Sequence, residues 1–338
     1  MSLIRAWAAT AAAAPLLPFA YDPGPLGAED VEVAVESCGV CHSDLSMLHN
    51  EWGRSAYPLV AGHEVAGRVV ALGSAAKGLR VGERVGVGWY AGSCMHCGSC
   101  IGGDQHLCRT SQATIIGHHG GFAERVRAHW AWTIPLPDGI DASGAGPLLC
   151  GGITVFSPLI EFGIRATDRV GVVGIGGLGH LALKFARAWG CEVTAFTSSA
   201  SKRDAALALG AHHVASSRDG NALKALAGRF DLILVTANVA LDWPALLAAL
   251  APRGRLHVVG GVLEPMPIPA FALIGGQKQV SGSPTGSPRN LARMLDFAAR
   301  HRIAPTVERF PMSRINEALA HLAAGKARYR VVLDADFG

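Results

Sequence analysis

The chain has 338 residues, of which 50% are hydrophobic, 17% charged and only 7% aromatic, with 42 glycines. That length buries a full core and suits two domains of roughly 150 residues each, and the glycine-rich, aromatic-poor balance excludes a coiled coil and fits an α/β protein with many tight turns. The formal charge is +4, with lysines and arginines scattered along the chain, so neither a nucleic-acid partner nor a polybasic membrane anchor is expected.

The first twenty residues, with Arg5, an alanine run and Leu16-Leu17, resemble a short signal peptide. Pro15 and Pro18 interrupt the apolar stretch, however, and Tyr21 to Pro25 reads as a turn, so the segment is expected to be an opening strand plus loop. No later segment reads as the ~20 apolar residues of a membrane-spanning helix. From Val31 to about Gly146 short alternating runs such as Val31–Val35 and Val65–Ala71 predict a β-rich region. After Cys150 the pattern changes. Arg169–Val173 predicts a buried strand, Gly177–Trp189 a helix and Glu192–Phe196 a second strand. The alternation continues with a helix at Ser201–Leu209, strands at His213–Ala215 and Asp231–Val235, a helix at Asp242–Leu250 and a strand at Arg255–Val259, which together predict a parallel α/β domain. A Gly/Ser/Pro-rich stretch from Gly282 to Pro288 marks a boundary. Beyond it, a helix at Arg289–Arg300 and a strand at Arg328–Leu333 are assigned back to the first domain. The expected division is therefore 1–148 with 286–338, and 149–285.

The eight cysteines, in a chain of this size, suit zinc thiolates in a reducing compartment better than disulfides, so a cytoplasmic protein is expected. Cys94, Cys97, Cys100 and Cys108 follow a C-x2-C-x2-C-x7-C spacing that wraps four thiolates around one structural zinc. An iron–sulfur run would place the fourth cysteine after three residues and follow it with proline. Here the gap is seven and Arg109 follows. A zinc-ribbon recognition module is also disfavoured, because the box lacks basic and aromatic neighbours. A second, open zinc site is read in Cys41, His63 and Cys150, two thiolates and one imidazole with a fourth position left for substrate or water. Glu64 beside His63 adds a carboxylate that could orient a ligand, join the metal as an alternate ligand or balance charge. Cys38 and Cys191 have no partners at ligand spacing and are read as structural.

Gly174, Gly176 and Gly179, with Gly177 and Leu178 between them, form a G-x-G-x-x-G loop between the predicted strand and helix, where backbone amides meet a pyrophosphate. About 20 residues on, where an acid would hold the ribose of NAD, the strand instead ends in Thr197-Ser198-Ser199 with Lys202 beyond. Hydroxyls and a cation there favour the 2′-phosphate of NADP(H). Trp52 and Trp89 are candidates for the wall of an apolar substrate pocket.

Cys38-Gly-Val-Cys41-His-Ser-Asp44, Gly62-His63-Glu64, Gly92-Ser-Cys94-x-x-Cys97-x-x-Cys100, Gly120-Gly-Phe-Ala-Glu124, Pro147-Leu-Leu-Cys150-x-Gly-x-Thr154 and Gly174–Gly179 occur in one order along the chain. In this the sequence resembles the zinc-dependent medium-chain alcohol dehydrogenases, and among them the cinnamyl-alcohol-dehydrogenase-like group. Asn50-Glu-Trp-Gly53, Val81-Gly-x-Arg-Val-Gly86 and the ending Lys326 to Val332 look closest to its bacterial NADPH-dependent aldehyde reductases. The resemblance implies a GroES-like β-rich catalytic domain, a Rossmann doubly wound parallel-sheet domain, two zinc ions per chain and a homodimer. It implies reversible aldehyde reduction, with Ser43 as the hydroxyl relay, His42 beside the pyrophosphate, Thr154 in the cofactor site and Arg330 at a phosphate. Many members carry a histidine two residues after the aspartate; here that position is Ser46. An alcohol dehydrogenase working mainly in the oxidative direction, and a noncatalytic NADPH-binding sensor on the same scaffold, are the rival readings.

Overall fold

The computed structural model describes residues 3–337. The chain divides into two compact units, Met1–Ile153 with Thr285–Gly338, and Thr154–Pro284. The first unit thus extends past the expected boundary at 148 and includes Cys150 together with Cys41 and His63.

The first unit is built on a seven-stranded sheet. Along it run Val307–Pro311, Arg330–Asp334, Asp30–Val40, Glu64–Leu72, Arg84–Val87 and Thr133–Pro135, and Arg125–His129 also pairs with Asp30–Val40. All neighbours are antiparallel except Val307–Pro311 and Arg330–Asp334. The alternation in Val31, Val33 and Val35 puts these side chains in a core with Val65, Val69, Val85, Val126 and Val331, as period-two patterning requires. The chain's last strand therefore lies beside an early one, its Val331–Asp334 paired with Ser37–Val40.

Three expectations are corrected in this unit. Residues 4–21 form a hairpin, Ile4–Ala8 with Leu17–Tyr21, where one strand and a loop were expected. Pro18 is tolerated there because a strand of a two-stranded ribbon has a free edge. The predicted strand Arg328–Leu333 starts at Arg330. Ala142–Glu161 is a single helical run of 20 residues with mean hydropathy 1.4, long and apolar enough to pass for a membrane span, and 89% of its apolar window is buried within the protein. Its middle, Leu148–Gly152, is wound as a π-helix, and that turn carries Cys150. Such turns interrupt the regular hydrogen-bond ladder and redirect the side chains they carry.

The second unit holds a six-stranded, wholly parallel sheet in the order His213–Ser216, Glu192–Thr197, Arg169–Val173, Phe230–Val235, Leu250–Val258, Gln279–Gly282. Numbered within the unit this is 3-2-1-4-5-6, the doubly wound Rossmann order, whose switch point falls between the first and fourth strands. Strands buried on both faces need continuous apolar runs, and Val170, Val172, Val173 and Leu232–Val235 supply them. The fifth strand begins at Leu250, five residues before the expected Arg255, because Leu250 pairs with Phe230 before an irregularity shifts the register. There Arg253 takes a left-handed conformation, φ 64°.

Candidate metal centres and cofactor loop

The first centre forms around the end of the Asp30–Val40 strand. Cys41 ends that segment and precedes the helix His42–Leu48, and Asp44 at the helix's third position turns back to accept a hydrogen bond from the Cys41 amide at 2.9 Å. The same carboxylate accepts the Gly62 amide at 2.9 Å and meets His63 Nδ1 at 2.9 Å. Gly62 adopts φ +94°, which suits glycine, and the chain then enters the Glu64–Leu72 strand. His63 Nε2 is thereby turned to Cys150 Sγ, 3.3 Å away, and Cys150 Sγ lies 4.0 Å from Cys41 Sγ.

One ligand atom from each of Cys41, His63, Glu64 and Cys150 lies within 4.8 Å of the others, and all four residues are buried. Tetrahedral zinc with ~2.3 Å sulfur and ~2.0 Å nitrogen bonds sets its ligands about 3.5–3.8 Å apart, so the spacing fits that ion. The donor set fits too: two soft thiolates, an imidazole, and a second-layer carboxylate on the far ring nitrogen, the usual device for fixing a metal-bound histidine. Glu64 Oε2 has no hydrogen-bond partner although it is buried. A buried carboxylate oxygen without a hydrogen-bond partner inside a donor cluster fits a water or an ion bound there.

Charge at the centre is tightly organised. The hydrogen bond from Cys150, with lesser help from His63 and Arg330, holds the Cys41 thiol well below its ordinary range despite burial. Burial works against a charged His63, but Asp44 and Cys41 together outweigh it and raise its pKa. Burial raises the Glu64 carboxyl, opposed chiefly by Arg330. The Arg330 guanidinium donates from Nη2 to Glu64 Oε1, with side-chain exposures of 4% and 0%. A Cβ at Gly39 would strike the same carboxylate, so only glycine fits beside it.

Ser43 is half-buried with its hydroxyl 3.8 Å from Cys41 Sγ, and His42 is exposed. The Trp89 ring stands edge-on to the His63 ring at 4.9 Å, and Trp52 stands against Trp89 at 6.0 Å. Trp52 is 39% exposed. The two tryptophans expected as a pocket wall thus form an aromatic path leading outward from His63. Ser46, buried, donates to Glu51 Oε2 at 2.6 Å.

Arg330 was expected at a phosphate, and the structure gives its guanidinium a carboxylate partner. Asp44, quoted in the motif without a role, is the residue sequence reasoning missed. Its signal was the Cys41-x-x-Asp44 spacing of a helix cap.

In the second centre, Cys94 Sγ lies 3.9 Å from Cys100 and 3.6 Å from Cys108, and Cys97 lies 3.9 Å from Cys108. These are tetrahedron edges for zinc thiolates. Cys108 also approaches the Thr110 hydroxyl at 3.5 Å, and this contact leads in pulling its pKa down to about 6. Cys38 and Cys191 belong to neither group, and all eight cysteines are free of disulfides.

In the second unit the glycine loop leaves the first strand at the switch point. Gly174 has φ +90° and packs against Ala237, and a Cβ at Gly179 would run into the Gly174 carbonyl. A Cβ at Gly176 would meet nothing within 4 Å. Two glycines permit tight packing and one faces open space, as a backbone cradle for a phosphate requires. Leu178 caps the Gly179–Trp189 helix without a side-chain hydrogen bond, so no side chain competes with an anion for the amides at this helix start. Beyond the second strand, Ser198 and Lys202 are exposed, and Thr197 Oγ1 accepts from the Ser199 amide at 3.3 Å. Thr154, at 7% exposure, opens the second unit.

The chain belongs to the zinc-binding alcohol dehydrogenase family: residues 27–138 match the alcohol dehydrogenase GroES-like domain and residues 177–300 the zinc-binding dehydrogenase domain. It is an alcohol/aldehyde oxidoreductase of the medium-chain, cinnamyl-alcohol-dehydrogenase-like type. It is 56% identical to aldehyde reductase AdhA of Synechocystis over 331 residues, 98% of each chain. Among solved structures it is similar to a Sorghum bicolor cinnamyl alcohol dehydrogenase (TM-score 0.94, 37% identity, 98% of each chain). It is also similar to the Helicobacter pylori cinnamyl alcohol dehydrogenase solved with NADP(H) (TM-score 0.90, 29% identity, 98% of each chain).

Proposed function

We propose that this protein reduces aldehydes to primary alcohols with NADPH, reversibly, using one catalytic and one structural zinc per chain. The convergence of two buried cysteines, one histidine and an orphaned glutamate oxygen carries the reading. Its relatives' names, aldehyde reductase and cinnamyl alcohol dehydrogenase, support the reaction class. Zinc bound there would polarise the carbonyl as a Lewis acid, and the nicotinamide would supply the hydride.

The chain's own side chains do the rest. Cys41, His63 and Cys150 would hold the metal, and Asp44 fixes the His63 ring with Nε2 toward Cys150 Sγ. Ser43, beside Cys41, carries the proton that the product oxygen gains on reduction. Trp89 and Trp52 guide the carbonyl-bearing tail and keep water from the centre. Cys94, Cys97, Cys100 and Cys108 hold the second zinc and lock their own loop. For the cofactor, Gly174–Gly179 receives the diphosphate, and Ser198, Ser199 and Lys202 receive the 2′-phosphate, no acid standing at the strand end to hold a bare ribose. A homodimer fits the second unit, whose sheet ends in the unpaired edge strand Gln279–Gly282. The nearby segment also exposes Leu263, Phe271 and Ile274, by 77%, 86% and 67%.

A metal count together with steady-state rates for benzaldehyde and hexanal, with NADPH and with NADH, tests the reading. Two zincs per chain and a higher kcat/KM with NADPH are expected, and K202A should narrow that cofactor preference. Turnover that survives both C41A and H63A, or a sensor-like protein that binds NADPH and reduces neither aldehyde, would overturn it.

A further inference from the structure

We propose that His180, one residue past the glycine motif, is a positioning residue that locks the Gly176–Gly177 peptide so that its N–H faces the cofactor diphosphate. His180 is fully buried, at 0% exposure. Its backbone amide donates to the Gly176 carbonyl at 3.0 Å, and its ring Nδ1 meets the same oxygen at 3.1 Å. A carbonyl only accepts, so Nδ1 is the protonated nitrogen of that ring. One carbonyl thus takes two donors from a single residue.

The consequence follows from peptide geometry. In a planar trans peptide the carbonyl and the next amide point in opposite directions. With the Gly176 oxygen drawn toward the helix that begins at Gly179, the Gly177 N–H is turned the other way, out of the helix end. The loop has open space at this peptide's first residue, since a Cβ at Gly176 would meet nothing within 4 Å.

A clamp is needed for a specific reason. The peptide lies between two glycines, which rotate through φ and ψ more freely than any other residue, and the following helix has no side-chain cap to fix its first turn. Held by the His180 amide alone, such a peptide flips more readily and then presents a carbonyl dipole to an anion. The buried imidazole removes that alternative before the cofactor arrives, so binding does not have to order the loop.

This inference rests on the reading that Gly174–Gly179 receives a nicotinamide dinucleotide, and it concerns the diphosphate that NADPH and NADH share. Fluorescence titration of the purified holoprotein with NADPH and with NADH therefore tests it, using H180L, which keeps bulk without a donor, and H180N, whose amide nitrogen sits where Nδ1 does. Loss of one neutral hydrogen bond at this place should raise Kd about three- to tenfold. We expect that rise in H180L by the same factor for both cofactors, and a Kd near wild type in H180N. H180A takes the place of H180L if leucine does not fit the site, with circular dichroism reporting the fold. The clamp is refuted if the donor-free variant binds as wild type does, if only one cofactor is weakened, or if H180N binds as weakly as the donor-free variant. A wild-type protein that binds neither nucleotide overturns the cofactor reading itself, and the clamp with it.

Discussion

Replacing Arg330 by methionine, R330M, should unfold the first unit early, and the size of the effect follows from its surroundings. The guanidinium is the hydrogen-bonded cation on Glu64, and the two side chains are 4% and 0% exposed. Removing one partner of a buried ion pair costs about 3–5 kcal/mol, because the remaining charge has neither water nor counterion. For a folding unit of this size, each kcal/mol is worth roughly 2–4 °C of Tm, so a fall on the order of 10 °C is expected. Five of the seven tryptophans (Trp7, Trp52, Trp89, Trp130 and Trp132) lie in the first unit, so thermal melts followed by tryptophan emission report mainly on it. The double variant E64Q/R330M should recover part of the loss, since no unpaired charge is left buried. If R330M melts within about 2 °C of wild type, or the double variant is worse than either single change, then the pair does not balance charge as described.

Two further outcomes are expected. His257 is buried between the Ser281 and Ser283 hydroxyls, each 2.9 Å from a ring nitrogen, and burial, aided by Arg255, pushes its pKa down to about 4. The unfolded chain binds that proton near pH 6.5 and the folded chain only near pH 4. Stability is therefore full above pH 6.5 and falls by about 3 kcal/mol as the pH drops to 4. Comparing Tm against pH for wild type and H257Q isolates this slope, and parallel curves would remove His257 as its source. C94S should cut the zinc content from about two to about one per chain and lower Tm, while Cys41, His63 and Cys150 keep their metal. A C94S protein that still holds two zincs would show that the four cysteines do not share one ion.

What the sequence disclosed depended on how local each feature is. The C-x2-C-x2-C-x7-C spacing and the glycine loop are short-range patterns whose geometry is set by the residues between, so both could be read directly. The parallel sheet was legible from continuous apolar strand runs alternating with helical patterns. Asp44 was harder: its bond to His63 exists only because Gly62 turns the chain back over the Cys41 helix. The partner of Arg330 was unreadable because Glu64 lies 266 residues away. The helix around Cys150 escaped notice because Gly144, Gly146, Gly151, Gly152 and Pro147 are poor helix formers. Burial along its length overrides that propensity.

The last strand's place beside Asp30–Val40 gives the chain an order of completion during synthesis. Cys41, His63 and Cys150 leave the ribosome long before Arg330, so for most of translation Glu64 has no cation to answer it. Val331, the residue that faces Val40 across the ladder, is missing for as long. The candidate metal centre is thus completed by the Arg330–Asp334 strand, and a chain stopped before Arg330 carries Cys41, His63, Glu64 and Cys150 yet lacks the strand that pairs with Ser37–Val40. Pulse proteolysis of a chain ending before Arg330 should find the segment around Cys41 open to cleavage.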